Sequence, residues 1–182
     1  MIQKRVLLLA LPMLLAACAT TTTTDMTTMA NATPEAEIAA IMTAANEGEI
    51  QQGQAASARA TNADVRSFAQ MMVTDHTNAL NTARDTFNRT AITPADNNIS
   101  TTLRTNSQTT VRNLDTYTGA AYDRMYMQTQ VDLHSWLLRQ LDNNLIPSAR
   151  TPELRTLLQT QRGSVAAHLD RAQAILGGLP RM

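Results

Sequence analysis

From residue 34 onward, apolar side chains return at alternating steps of three and four, the period that keeps one face of an α-helix turned toward a core. Pro34 followed by Glu35 and Glu37 opens a first helix that runs to about Ala60, and Asn62 caps a second from Ala63 to about Thr90. Ile92-Thr93-Pro94 stops it. A polar segment from Ala95 to about Asn113 reads as helical in part, and a long helix follows from about Leu114 to Leu145. Pro147 and Pro152 bracket a turn. Thr151-Pro152-Glu153 begins the last helix with a cap and a proline at its first position, and Gly177-Gly178 ends it. No segment alternates with period two, so strands are not expected.

The stripe of the first helix is Ile38, Met42, Ala45, Glu49, Gln52 and Ala56, and that of the second is Val65, Ala69, Met72, His76, Ala79 and Ala83. The third runs Tyr117, Ala120, Arg124, Met127, Val131, His134, Leu138, Leu141, Leu145, and the fourth Leu154, Leu158, Gln161, Val165, His168, Ala172, Ile175. Arg124 is out of place there. Either its neighbour Asp123 faces the core instead, or the register shifts. Short loops make helices one and two, and three and four, antiparallel pairs, and a longer crossover joins two to three. The expected fold is an all-α, antiparallel four-helix bundle over residues 34–182.

The first 33 residues read differently. Lys4 and Arg5 precede an apolar run at residues 6–15, the layout of an export signal over 1–17. The run falls short of the ~20 residues that span a bilayer. Leu15-Ala16-Ala17-Cys18 resembles the lipobox of bacterial lipoproteins, in which the cysteine becomes the new N-terminus and carries lipid. That resemblance implies lipidation at Cys18 and a membrane as partner, and Ala19 in the next position implies the outer membrane. Residues 18–33 are Thr-rich, offer almost nothing to bury, and read as a disordered tether.

Composition removes several function classes. The 182 residues carry 15 Lys+Arg against 15 Asp+Glu, with no basic cluster to neutralise a phosphate backbone, so nucleic acid is not expected as a partner. The single cysteine excludes an internal disulfide, Cys-pair zinc sites and four-thiolate iron–sulfur clusters. Without Lys4 and Arg5 the chain is mildly acidic and holds no lysine.

The stripes are interrupted in an informative way. The chain has three histidines, His76, His134 and His168, each on the core-facing stripe of a different helix, and Glu49 takes the corresponding place on the remaining one. Counted from the turns near residues 61 and 148, all four lie at similar depth, so they fit one central layer. Three imidazoles and a carboxylate are the donor set of a single Zn, Fe, Ni or Cu ion, and the nitrogens disfavour Mg and Ca. The alternative is a metal-free buried polar layer in which Glu49 pairs with one histidine while Gln52, Gln161 or backbone groups satisfy the rest. Asp75 and Asp132 read as surface charges. Met72 and Met127, on the seams near the histidines, read as core filler or as soft ligands for Cu(I).

Residues 36–176 resemble the bacterial exported family called domain of unknown function 4142. The resemblance rests on Glu49-Ile50-Gln51-Gln52-Gly53, on the run from Val65 through Phe68, Met72 and Asp75 to His76, on Gly119-Ala120-Ala121-Tyr122-Asp123-Arg124-Met125-Tyr126, and on His134 and His168. It implies a ferritin-like four-helix fold and assigns no activity. Di-iron bundles of the ferritin type place a glutamate three residues before a histidine on two helices, whereas Val73, Val131 and Val165 stand there. Gly-x-Ser-x-Gly, a phosphate-cradling glycine loop and His-Glu-x-x-His are also missing, so an enzyme is not expected. Two classes of function remain: a non-enzymatic envelope lipoprotein that binds a protein partner or serves under envelope stress, and a mononuclear metal-binding bundle for storage, sensing or transport through Glu49, His76, His134 and His168.

Overall fold

The computed structural model describes residues 34–181; the signal, Cys18 and the Thr-rich segment lie outside the described residues. The chain folds into α1 (Glu35–Arg59), α2 (Ala63–Arg89), α3 (Asn98–Leu114), α4 (Gly119–Gln140), a π-helical turn (Leu141–Leu145), a short α5 (Ile146–Ser148) and α6 (Pro152–Gly178). The described residues contain no strand.

Pairings along the helices set their directions. His76 meets Asn46 while Ala69 and Val73 meet Gly53, so α1 and α2 run antiparallel. Arg162 meets Asp142 while Arg124 meets the carbonyl of Leu176, so α4 and α6 do the same. Asp75 with His168, and Ala79 with Gln161, set α2 against α6 in the same sense. Helices α2 and α4 therefore share a direction, and the chain must travel back before α4 begins. The segment expected to be helical only in part makes that return as one continuous helix. Asn97 and Ser100 form a capping box at its start. It then runs parallel to α1, with the Ser107 hydroxyl donating to the Gly48 carbonyl at 3.0 Å.

The long third helix departs from its expected limits. It begins at Gly119 rather than near Leu114, which closes α3, and Gly119 carries a φ of +57° that favours glycine. The first half of its stripe is also corrected: Tyr117 lies ahead of the helix, Ala120 is exposed, and the buried face passes through Tyr122, Asp123 and Tyr126. Of the two readings of Arg124, the one that buries Asp123 holds. The Asp123 carboxylate accepts from the Thr61 hydroxyl (2.5 Å), the Thr61 amide (3.0 Å) and the Asn62 amide (2.8 Å), fastening the α1–α2 turn to α4. Arg124 instead points its guanidinium at the carbonyls of Leu176 and Leu179.

A matching clamp holds the other end. Glu35 accepts from the amides of Arg150 and Thr151 and from the Thr151 hydroxyl. Thr151 thus occupies the cap position of α6 but spends its hydroxyl on α1. Asn62 caps α2 as expected, accepting from Asp64 and Val65. Between the clamps lie two apolar clusters, one around Ile38, Ile41, Leu141, Leu154 and Leu158, the other around Val65, Phe68, Met72, Tyr126 and Met127. The histidines stand between them.

Gly53 allows α1 and α2 to touch: a Cβ placed there would lie 2.9 Å from the Ala69 carbonyl oxygen. At Gly163 it would meet nothing within 4 Å. Gly163→Ala should therefore stabilise the protein by about 0.5–1 kcal/mol through helix propensity. Gly53→Ala should reverse the sign and cost about 1–3 kcal/mol as the helices are forced apart. Urea denaturation of both variants checks this, and a stabilised Gly53→Ala would refute the close crossing.

Candidate metal centre

Helices α2, α4 and α6 each bring one histidine inward. His134 is fully buried and His76 and His168 are 6% exposed. Their ring centroids form a triangle with sides of 6.0, 5.3 and 5.5 Å. One nitrogen of each lies within 4.8 Å of one on each of the others.

The remaining ring nitrogens are tied down, and their partners fix the tautomers. Asn46 Nδ2 donates to the Met42 carbonyl at 2.8 Å, which turns its Oδ1 toward α2, and His76 Nδ1 donates to that oxygen at 2.9 Å. His134 Nδ1 donates to the Gln130 carbonyl at 2.9 Å. His168 Nε2 donates to the Asp75 carboxylate at 3.0 Å. An amide oxygen, a carbonyl and a carboxylate can only accept, so each ring spends its one N–H outward and keeps a lone pair on the other nitrogen. Those nitrogens are His76 Nε2, His134 Nε2 and His168 Nδ1, all buried and without a protein partner. Burial pushes all three rings below the ordinary imidazole pKa, His134 down to about 4 and His76 well down. The layer therefore holds three neutral imidazoles at neutral pH.

Glu49 is fully buried in the same layer, and neither of its oxygens has a hydrogen-bond partner. Burial raises its pKa to about 7. Its Oε1 lies 3.7 Å from His134 Nδ1, the side of the ring turned to the Gln130 carbonyl, so Glu49 stands beside the three converging nitrogens rather than among them. Tyr126, which feels the charge of Glu49, is also buried with an unpartnered hydroxyl.

Of the polar layer considered as the alternative, two contacts are present: Glu49 lies 3.7 Å from His134 Nδ1, and the backbone carbonyl of Gln130 accepts from that nitrogen. Gln52 bonds Gln130 and Ser107, and Gln161 reaches the Ala79 carbonyl; none of these contacts closes a histidine lone pair. Asp75, expected as a surface charge, is the acceptor behind His168, while Asp132 is exposed as expected. Met72 and Met127 are fully buried in the apolar cluster beside the layer. The orienting partners were hidden in the sequence. Gln130 lies one turn before His134 and Asn46 one turn before Glu49, so both share a stripe with a singled-out residue. Asp75 sits on α2 yet serves a ring on α6, which no local spacing announces.

The donor set suits a borderline transition metal. An ion held about 2.0–2.1 Å from each nitrogen in a tetrahedral array sets them roughly 3.3 Å apart, so the rings must close by about 1.5 Å at most. Each ring already has the outward acceptor that metal-binding histidines use to fix tautomer and orientation. A di-iron centre does not fit, because Val73, Val131 and Val165 fill the places of the carboxylates it needs.

The neutral rings give the metal-free protein a defined pH response. Unfolded histidines take up protons below about pH 6.5, and the folded rings resist until well below that, His134 until about 4. Over that interval the unfolded chain binds more protons, so stability falls as pH falls. Glu49 works the other way between pH 4.5 and about 7, where the folded chain holds the extra proton and stability falls as pH rises. Three rings outweigh one carboxyl. Denaturant unfolding at a series of pH values should show stability lost from pH 6.5 toward 4, and His134→Gln should flatten that slope by about 1.4 kcal/mol per pH unit. An unchanged slope would mean that the ring is not held neutral.

No curated protein and no solved structure matches the chain. One family does, across residues 19–175, described as Domain of unknown function (DUF4142). That span takes in the four interrupted stripes and every histidine, and the chain belongs to this family.

Proposed function

We propose that this protein binds one transition-metal ion, Zn, Fe, Ni or Cu, in the central layer of its bundle, and serves in storage, sensing or transport rather than in catalysis. One observation carries the reading. Three buried lone-pair nitrogens from three helices converge without partners, each backed by an outward acceptor. Leaving three such groups unpaired costs about 1–3 kcal/mol apiece, a cost that a bound ion removes. His76, His134 and His168 are the ligands. Glu49 supplies nearby negative charge or a fourth ligand after a side-chain rotation, and Asp75 strengthens His168 from behind.

The place of action belongs to the same proposal. The apolar run ahead of Leu15-Ala16-Ala17-Cys18 supports export and lipid attachment at Cys18, and Ala19 supports the periplasmic face of the outer membrane. The acyl chains there anchor it, since each buried methylene contributes about 0.8 kcal/mol.

The test uses the full chain expressed in a bacterium and purified from the envelope. Mass spectrometry should find about one metal ion per chain after incubation with Zn, Fe, Cu and Ni in turn, and His76→Ala and His134→Ala should each lose it. Cys18→Ala should move the protein from the membrane to the soluble fraction. Metal absent under every condition would make the layer a structural one and turn the search toward protein partners. A membrane-bound Cys18→Ala protein would remove the lipid anchor.

A further inference from the structure

The converging nitrogens are sealed from solvent, so a bound ion needs a way in. The acceptors behind the rings differ sharply in this respect. Asn46 and Gln130 are 3% and 0% exposed and carry no charge. The Asp75 side chain is 43% exposed, and His168, which it holds, is the ring to which it leads.

From these differences we infer that Asp75 and His168 form the port of the metal centre, through which a divalent cation passes from solvent between α2 and α6. This rests on the metal-binding reading above. Among the described residues, the Asp75 carboxylate is the one charged group that both faces water and touches a converging histidine. It attracts a hydrated cation over roughly a Debye length, ~8 Å at physiological ionic strength. His168 takes the ion first by letting go of Asp75 and turning its ring, which brings the buried lone pair of Nδ1 toward the entry. The rings of His76 and His134 lie 5.3 and 5.5 Å behind it, centroid to centroid, and complete the capture.

The other approaches are less suited to an ion. Between α1 and α2 the helices touch at Gly53, where even a methyl group would meet the Ala69 carbonyl. Between α3 and α4 runs a groove of about 650 Å³ lined by Ala44, Ala45, Ile99, Leu103, Leu133 and Trp136 with polar groups that include Gln52 and a single charge, Asp132. Asp132 bonds Gln128 and no converging histidine, so a cation drawn to it is not handed to a ring.

The experiment follows uptake of Co²⁺ alone by the full chain in stopped-flow visible absorption, at low and at high salt. In Asp75→Asn, whose amide oxygen still accepts from His168, uptake at low salt should slow about tenfold and its salt dependence should shrink. Asp75→Glu should restore most of the rate. Ala45→Phe, which narrows the α3–α4 groove, should leave it unchanged. Thermal melts of the metal-free variants report folding, and a residue that only braced the structure would move those and spare the salt dependence. Wild-type uptake with an unaltered rate and salt response in Asp75→Asn overturns the port alone, as does slowing in Ala45→Phe instead. Wild-type protein that takes up neither Co²⁺ nor Zn²⁺ overturns the metal reading and the port with it.

Discussion

Everything in this bundle is arranged around polar rings that have been taken out of water. Three imidazoles and a carboxylate sit at mid-height, where an ordinary helical bundle would place leucine. Burying them is tolerable only because each ring has surrendered its N–H to an acceptor in a known direction. The acceptors come from three different sources: a side-chain amide on α1, a backbone carbonyl on α4, a surface carboxylate on α2. The amide and the carboxylate each demand a particular neighbouring helix at a particular height, while the carbonyl lies one turn back on the ring's own helix. The rings specify the packing as much as the packing holds the rings.

The remainder of the structure defends that arrangement. Asp123 ties the turn at one end of the bundle and Glu35 the loop at the other, each with three donors converging on one carboxylate. Hydrogen bonds to an ionised acceptor are among the stronger ones available to a protein. Gly53 brings α1 against α2, and Gly48 lets Ser107 of α3 approach from the opposite flank. With both turns fastened and α1 closely flanked, the helices have little freedom to slide. Sliding by one residue would carry a histidine out of the layer.

How much of this the sequence disclosed depended on whether the deciding contact was local. The stripes of α2 and α6 follow the period of three and four, and their histidines landed where that period put them. Helix α1 buries Glu49 as expected but, packed between α2 and α3, is covered on more than one face, with Ile38 through Met42 all buried. The first half of α4 did not follow, because its register is set by Asp123 reaching a turn some sixty residues earlier, a contact with no trace in the spacing. The polar face of α3 concealed a full helix for a related reason. Its burial is supplied by a few residues such as Ser100, Leu103 and Ser107 against α1, too few to dominate a periodic pattern. At the centre, the histidines were visible as interruptions. The acceptors that turn them into a candidate site were not, since an asparagine or aspartate on a helix looks the same whether it faces water or a ring.

The histidine layer also cuts the apolar interior in two. The cluster around Ile41 and Leu158 and the cluster around Phe68 and Tyr126 are separate bodies of side chains, joined by the helices that run through both. Mechanically the domain is two short bundles strung on common rods, with a stiff or a yielding washer between them. Whatever sets the stiffness of that washer decides whether the two ends breathe together or apart.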